Sequence, residues 1–326
     1  MSLSAGRRYY VRVTRRVAVV FALLLTAACV GGAVSSCDRG RPREGAPPVV
    51  GVTLLTQTHT FYKELEAGLR EEAAAHNLNL IVVACEMDPA KQAAQIEDFI
   101  AERVSAILAA PCDSNAIGPH LGGAERAQIP VFTVDIAARS GKVVSHIASD
   151  NVQGGRLAAQ ALAQALGDTG QVLIIDQPTV ASVQDRVRGF DEEMQRHPTI
   201  SVVARPNADG QRARAMAVME DMLQANPDID GVFGINDDSA LGALAVIEAA
   251  GRRDIAIVGY DATDEARAAI ERRSPLKADV VQHPREMGKR AIEIIARHLA
   301  GEPVPPVVPI EVALWGQVSK PGSNGH

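Results

Sequence analysis

Short apolar runs alternate with amphipathic stretches along most of the chain. Nine such runs cover residues 49–55, 78–85, 104–110, 129–135, 170–176, 200–206, 230–236, 255–261 and 276–282. Each is nearly continuous in apolar residues, which is typical of strands buried on both faces of a parallel sheet. Stretches of helical length separate the runs, so the pattern predicts an α/β fold. Because nine strands exceed one comfortable doubly wound sheet, we predict two Rossmann-like lobes.

Polar residues stand at the ends of several predicted strands. These residues are Asp135, Asp176, the pair Asn236 and Asp237, and Asp261. In doubly wound sheets, ligands bind at the carboxyl ends of the strands, near the point where the strand order reverses. Asp and Asn also cap helices, so each residue alone has a structural explanation. Together they predict a polar site at one edge of each sheet.

Two adjacent aromatic residues, Phe61 and Tyr62, follow the first predicted strand, although only 3% of the chain is aromatic. Neighbours on a helix point about 100° apart, so the two rings cannot both belong to one narrow core stripe. The pair therefore indicates a site that uses flat apolar surface at the first strand-to-helix junction.

Several catalytic and cofactor motifs are absent from the sequence. The first junction reads TQTHTF and has no GxGxxG turn, and the chain contains no GxxxxGK[ST], GxSxG, CxxC or HExxH. Dinucleotide and P-loop sites depend on such glycine-rich turns, and α/β-hydrolases depend on the nucleophile elbow. We therefore expect no enzyme activity, no cofactor and no metal ion.

The charge of the chain argues against a nucleic-acid partner. The formal net charge is −6, and residues 1–36 hold five arginines and no acidic residue, so the remaining chain is more acidic still. Phosphate binding requires clusters of Lys and Arg.

The N-terminus has the layout of an export signal. A basic stretch precedes the apolar run at residues 17–34, and small residues and a cysteine follow. We assign residues 1–36 to the signal, although a run of this length is also marginal for a retained membrane anchor. The stretch before Cys37 resembles a bacterial lipobox, and we favour Cys37 over Cys29 as the lipidated residue. RRYYVR at residues 7–12 resembles a twin-arginine motif, and a plain basic segment is the alternative.

Residues 37–48 are charged and rich in Pro and Gly, as expected of a flexible tether. Beyond it lie two further cysteines, Cys85 and Cys112, and export permits a disulfide between them. Both end strands that should flank the first strand on opposite sides. Since that places them about two strand spacings of 4.8 Å apart, the spacing argues against a bond.

Four segments resemble the pentose- and hexose-binding type of periplasmic solute receptor, which delivers sugar to an ABC transporter. They are TFYKELEAGLREEAAAHNLNLIVV (60–83), VVSHIASDNVQGG (143–155), GVFGINDDSALGAL (231–244) and IAIVGYDAT (255–263). The resemblance runs from about residue 49 to 316. It implies the type 1 periplasmic binding protein fold, with two doubly wound parallel-sheet lobes joined by a three-segment hinge near 149, 282 and 311.

The resemblance also implies a ligand site. Phe61 and Tyr62 match aromatics that clamp a sugar ring, and His59 stands where the family often has Asn. Further polar positions match residues that contact the ligand, namely Asp135, Arg186, Asn236, Asp261 and Gln282. Such groups can satisfy hydroxyls that both donate and accept hydrogen bonds.

Two positions depart from ribose-binding members of the family. Ile136 stands where they have an arginine directly after the aspartate, and Gly210 stands where they have a third aromatic wall. We count Ile136 among the ligand-binding residues and expect a pocket that is less cationic and roomier on one side. The ligand is then a related sugar, polyol or other small polar molecule rather than ribose.

The predicted organisation comprises the signal, the tether, two lobes and a disordered tail at 320–326. The N-terminal lobe takes 49–149 plus 283–311, and the C-terminal lobe takes 150–282 plus 312–319. We expect an exported, lipid-anchored monomer that serves a permease and its ATPase subunits. The alternative is a sensor that presents ligand to a membrane chemoreceptor or kinase. A lactose-repressor-type factor would need a DNA-binding segment where the export signal stands.

Overall fold

The computed structural model describes residues 46–316. The predicted export signal, Cys29, Cys37, most of the tether and the predicted tail at 320–326 lie outside the described residues. Among residues 46–316, no helix is both long enough and apolar enough to span a membrane.

The described chain builds two sheets of six strands. The strands of the first sheet are Val49–Leu54 (β1), Asn79–Ala84 (β2), Ala106–Ala109 (β3), Val131–Val134 (β4), Ser145–Ser149 (β5) and Val307–Ile310 (β11). Those of the second sheet are Gly170–Ile175 (β6), Ile200–Ala204 (β7), Gly231–Gly234 (β8), Ala256–Asp261 (β9), Leu276–Val281 (β10) and Ala313–Trp315 (β12). These are the two parallel-sheet lobes that the sequence predicts.

Helices cover both faces of the sheets. They are Thr60–Ala75 (α1), Pro89–Glu102 (α2), Gly118–Arg126 (α3), Asn151–Leu166 (α4), Ala181–Met194 (α5), Arg212–Ala225 (α6), Asp237–Ala249 (α7), Asp264–Glu271 (α8) and Pro284–Leu299 (α9). Because both faces are covered, the central strands β1, β3, β4, β6 and β8 are mostly apolar, and three apolar clusters fill the layers between sheet and helices.

The strand order places the polar strand ends where the sequence predicts them. The orders are β11-β5-β4-β3-β1-β2 and β12-β10-β9-β8-β6-β7, and every pairing is parallel except the antiparallel pair β10–β12. The order reverses beside β1 in the first sheet and beside β6 in the second. Ligand sites of doubly wound sheets lie at such reversals, beyond the carboxyl ends of the strands.

All nine predicted strands are present, and three strands were missed. In β5 the run SHIAS is too polar to resemble a buried strand, yet its His146 is accommodated by a hydrogen bond between Nδ1 and Thr133 Oγ1 at 2.9 Å. Strand β11 contains Pro309, which an edge strand tolerates because one side of its backbone needs no partner. Strand β12 is apolar but has only three residues, all of them exposed, which is too short a run to show a strand pattern.

The chain passes between the sheets three times, after β5, after β10 and between β11 and β12. The limits of the two lobes stay a prediction, since the topology assigns strands, and not whole loops, to each sheet.

The expectation that Cys85 and Cys112 do not pair is wrong. The two residues form a disulfide with a Cα–Cα distance of 6.7 Å. Strands β2 and β3 do flank β1 as predicted. However, β2 ends at Ala84 and β3 at Ala109, so both cysteines lie in loops beyond the strands. These loops bend towards each other over the carboxyl end of β1, and the spacing of the strands no longer separates them.

Candidate functional site

One cavity between the two sheets brings the predicted site residues together. Its lining includes all nine of them: His59, Phe61, Tyr62, Asp135, Ile136, Arg186, Asn236, Asp261 and Gln282. Five come from loops and the first helical turn of the first lobe, and four come from strands, helices and loops of the second. The cavity offers about 40 Å³ to a water molecule, and it adjoins an outer cleft of about 810 Å³. The cavity and the cleft share His59, Phe61, Asn236, Asp261 and Gln282.

The first turn of α1 supplies the aromatic wall. Phe61 and Tyr62 are both buried, and their rings meet edge to face with centroids 5.1 Å apart. His59 precedes the helix but makes no capping hydrogen bond with its side chain, which instead approaches the second sheet. The Nε2 atom of His59 lies 3.3 Å from Oδ2 of Asp238, so the pair bridges the cleft. Burial lowers the pKa of His59, although the charges of Asp238 and Glu86 act in the opposite direction.

Asp135 ends β4 in a left-handed conformation with φ of 62°. Such a backbone is uncommon for residues other than Gly, but Asp tolerates it better than most. The turn directs the carboxyl to the cavity, where Oδ2 accepts a 2.5 Å hydrogen bond from the Tyr62 hydroxyl. Burial raises the pKa of Asp135, and the Tyr62 hydrogen bond and the charge of Arg186 partly offset this. The second carboxyl oxygen remains available as an acceptor.

Ile136 gives the cavity an apolar side. It is 1% exposed and lines the cavity together with Val180 and Val183, which stand one helical turn apart at the start of α5. Of the described residues that line this cavity, Arg186 is the single Arg or Lys. The expectation of a less cationic pocket than in ribose-binding members stays a prediction.

Arg186 is held by three groups of the second lobe. Its Nε and Nη2 atoms donate to Oδ1 of Asn151 at 3.2 and 2.9 Å, and Nη1 donates to the carbonyl of Ile235. The guanidinium also stacks on the Tyr260 ring, with Cζ 3.6 Å from the ring centroid. A guanidinium has five N–H groups, so two remain for a ligand. The side chain is thus oriented before any ligand arrives.

A close helix crossing sets the position of α5. Gly155 in α4 lies directly against the backbone of α5, and a Cβ atom there would collide with the carbonyl oxygen of Arg186. Gly189 makes the reciprocal approach to Val152. The two glycines allow the helices to approach closely enough for Asn151, the first residue of α4, to reach Arg186.

The space beside Gly210 is filled, so the expectation of a roomier pocket on that side is wrong. A Cβ atom at Gly210 would lie 2.7 Å from Oε1 of Gln177 and 3.1 Å from Nδ2 of Asn236. Asn236 donates to the Gly210 carbonyl at 3.0 Å and also caps α7 by accepting from the Ser239 amide at 2.9 Å. Gln177 lines the cavity, so amide groups occupy the volume that was expected to be open because Gly210 has no side chain.

Asp261 ends β9 beside a group of acidic residues. Gln282 donates to its Oδ1 at 2.7 Å. Burial, reinforced by the charge of Asp237, raises the pKa of Asp261 to about 8. Burial likewise raises the pKa values of Asp237 and Asp279, and each of these two residues has one carboxyl oxygen without a hydrogen-bond partner. Asp261 is therefore largely protonated at neutral pH and can both donate to and accept from a ligand.

These carboxyls do not make a metal centre. Among the described residues, no group of three or more His, Cys, Asp and Glu side chains is placed to hold a metal ion.

Comparison with known proteins decides the family. Residues 50–303 match the periplasmic binding protein domain. The chain belongs to the periplasmic binding protein family. Within it, similar proteins include ribose import binding proteins and solute-binding proteins of ABC transporters, which are binding proteins and not enzymes.

Relatives of this periplasmic binding protein cover most of its length. The ribose import binding protein of Bacillus subtilis is 36% identical over 260 residues, which are 78% of this chain and 83% of that protein. A solute-binding protein from Mycobacterium smegmatis with bound glycerol is 33% identical, with a TM-score of 0.79 over 85% of this chain and 95% of the other. One from Agrobacterium vitis with bound α-D-tagatopyranose is 30% identical, with a TM-score of 0.78 over 82% and 94%.

Some residues of the site in this periplasmic binding protein were not predicted from the sequence, and one predicted residue, Asp176, lies outside the cavity. Asp176 accepts from the Gln177 amide and lines a separate surface depression, so it does not join the cavity. Its neighbour Gln177 and the helix residue Ser182 do line the cavity. The signal for Gln177 was its place directly after the strand that ends in Asp176. Asn151, which lies within the segment 143–155, positions Arg186 through a contact that spacing alone does not reveal.

Proposed function

We propose that this protein captures a sugar or a sugar-like polyol between its two lobes and delivers it to an ABC-transporter permease. One observation carries the proposal: the nine residues expected to bind ligand, from both sheets, line a single cavity. The cavity combines aromatic surface at Phe61 and Tyr62 with carboxyl, guanidinium and amide groups.

The mixture of groups suits hydroxyl-rich ligands. Each hydroxyl both donates and accepts, and a buried hydroxyl left without a partner costs about 1–3 kcal/mol. Asp135 supplies an acceptor, Arg186 supplies donors, and Asn236 and Gln282 supply both. The apolar C–H faces of a sugar ring match the aromatic wall, where contact releases water from both surfaces.

The ligand we propose is not ribose. Ile136, Val180 and Val183 offer no hydrogen bond on one side of the cavity, so a hydroxyl directed there would remain unpaired. We therefore favour a sugar or polyol with a C–H or methyl group on that side. The different molecules bound by the relatives, ribose, glycerol and tagatose, agree with a scaffold that tolerates such changes.

Binding proceeds by closure of the lobes in this proposal. The ligand contacts residues of both sheets in the closed state and fewer in the open state. Binding therefore stabilises the closed state by the difference in interaction free energy between the two. The bridge from His59 to Asp238 is one direct contact of the closed cleft. The permease recognises the closed state, and its own ATPase subunits supply the energy. We further propose a monomer that is exported and anchored to the membrane through a lipid on Cys37.

The ligand is tested by native mass spectrometry of protein purified from the cell envelope without added sugar. A bound mass of a sugar or polyol is expected. Calorimetric titration with D-ribose, D-tagatose, D-arabinose, xylitol and glycerol then ranks the candidates. Tight binding with a preference for ribose would defeat the proposed ligand, and binding of none of the five, with no bound mass, would defeat the proposed function.

A matched pair of variants tests the site itself. Phe61→Leu removes aromatic surface from the cavity, and Phe99→Leu removes a similarly buried ring that does not line it. We expect Phe61→Leu to weaken binding of the best sugar by about threefold to tenfold, the value of one aromatic contact. Phe99→Leu should leave the affinity unchanged. Equal effects in the two variants would show that the loss comes from general destabilisation.

The identity of the membrane partner distinguishes a role in transport from a role in sensing. We expect the anchored protein to co-purify with a permease in the presence of the sugar that binds best. Recovery of a receptor or a kinase in its place would favour the alternative role.

A further inference from the structure

The two lobes meet at a second place besides the ligand cavity. Ser114 lies in the loop between β3 and α3 of the first lobe and is fully buried. Its backbone N–H donates to the carbonyl of Thr179 at 3.3 Å, and its Oγ accepts from the Ala181 amide at 2.9 Å. Thr179 and Ala181 belong to the segment that begins α5 in the second lobe. Ser114 therefore joins the lobes through two hydrogen bonds.

The Ser114 contact supplies a hydrogen-bond acceptor that the N-terminus of α5 lacks. The first N–H groups of a helix have no partner within the helix. The residue before α5 is Val180, which has no polar side chain and makes no capping hydrogen bond. The hydroxyl of Ser114 supplies the missing acceptor from the opposite lobe. Because α5 also carries Arg186, the helix that orients the main cationic group of the cavity is capped only when the lobes are together.

A disulfide supports the loop that carries Ser114. Cys112 lies two residues before Ser114, and its partner Cys85 lies two residues before Met87. Met87 makes its own contact across the cleft, since Nε2 of Gln211 lies 3.0 Å from its sulfur. In each of the two loops that the disulfide joins, the residue two positions after the cysteine therefore contacts the second lobe.

We propose that Ser114 and the Cys85–Cys112 disulfide form a clasp that positions α5 and holds the two lobes together at this contact. Ser114 makes the contact, and the disulfide limits the conformations of its loop, so that less entropy is lost when the contact forms. Arg139 reinforces the same loop, because its amide donates to the Ser114 carbonyl at 2.8 Å while its guanidinium donates to Gln184 of α5 at 2.6 Å.

Hydrogen exchange of the Ala181 amide measures the clasp directly and needs no ligand. Two variants of the full chain are compared with the wild type: Ser114→Ala, and the double variant Cys85→Ser with Cys112→Ser. We expect exchange at Ala181 to be faster by about fivefold to tenfold in Ser114→Ala, the effect of one lost hydrogen bond. The double variant should also accelerate it, although its Ser114 hydroxyl is intact.

Internal controls separate the clasp from general stability. The Gln184 amide donates to the Val180 carbonyl within α5, and Val232 lies in the central strand β8, so the exchange of both should stay unchanged. Ser105→Ala removes a hydroxyl that accepts from the Val49 amide within the first lobe, and it should leave Ala181 unaffected.

Three outcomes would overturn the proposal. One is unprotected exchange of Ala181 in the wild type. Another is unchanged exchange of Ala181 in the double cysteine variant. The third is an acceleration at Ala181 that is matched at Gln184 and Val232, since that reports global unfolding. None of these results depends on which sugar binds, so the clasp and the proposed function fail separately.

Discussion

The Tyr62 hydroxyl donates a 2.5 Å hydrogen bond to Oδ2 of Asp135, from the first turn of α1 to the end of β4. Both residues are buried, and each lines the cavity. The bond leaves the other carboxyl oxygen of Asp135 free and holds the aromatic wall against the acceptor. Tyr62 thus does more than supply a flat surface, because its hydroxyl occupies one carboxylate oxygen of Asp135 and leaves the other for a ligand.

Replacing Tyr62 by Phe should destabilise the protein at neutral pH. The buried carboxyl of Asp135 would lose its donor, and a buried group without its partner costs about 1–3 kcal/mol. Urea unfolding at pH 7 measures the expected decrease in the free energy of unfolding. The decrease should shrink at low pH, since a protonated Asp135 depends less on a donor.

Tyr260→Phe is the matched control for this prediction. Tyr260 is also buried, but its hydroxyl donates at 3.3 Å to Asn151, which is neutral and already accepts from Arg186. We expect a loss below about 1 kcal/mol. Equal losses in Tyr62→Phe and Tyr260→Phe would contradict the special role of the Asp135 contact.

Stability should fall as the pH rises through the range in which Asp261 ionises. Its pKa is raised from 3.8 to about 8 in the folded protein, first by burial and then by the charge of Asp237. The folded chain therefore holds this proton more tightly than the unfolded chain. The resulting contribution to stability is complete below about pH 4 and is lost as the pH approaches 8.

Asp261→Asn should flatten this dependence. Thermal unfolding is followed between about pH 5 and pH 8, the upper part of the window set by the two pKa values. The dependence should not vanish, because the pKa values of Asp237 and Asp279 are raised as well. Asp254→Asn is the control, since Asp254 lies at the surface and its hydrogen bonds with Arg252 lower its pKa. A variant Asp261→Asn with the wild-type pH profile would refute the prediction.

Gly155→Ala should destabilise the protein through the crossing of α4 and α5. The new methyl group would collide with the carbonyl oxygen of Arg186, and overpacking of this kind costs about 1–3 kcal/mol. Gly122→Ala is the matched helical control, because the nearest atom to a Cβ there is the end of the Arg126 side chain at 3.6 Å. That change should be neutral or stabilise by up to about 1 kcal/mol. Denaturant unfolding of both variants checks the contrast, which would fail if Gly155→Ala were neutral.

The sheets and the polar strand ends could be predicted from local patterns, and the other cavity residues from the family resemblance. Apolar runs identify central strands, and parallel strands bring their carboxyl ends to one edge, so Asp135, Asn236 and Asp261 converge. Strand β5 escaped prediction because its run is polar, β11 because it contains Pro309, and β12 because it has only three residues. Asp176 shows the limit of the rule, since a strand end that points away from the edge of the cavity carries no site.

The sequence by itself determined the fold class, through periodicity, and the family resemblance, through ordered motifs; that resemblance implied nine of the residues that line the cavity. Only the tertiary structure decided that Cys85 and Cys112 pair, that Gln177 fills the space beside Gly210, that Asn151 orients Arg186, and that Ser114 caps a helix of the other lobe. Each of these contacts joins residues distant in the chain, through loops or side chains whose paths no local pattern specifies. Contacts of that kind depend on how the two lobes and their loops come together in space.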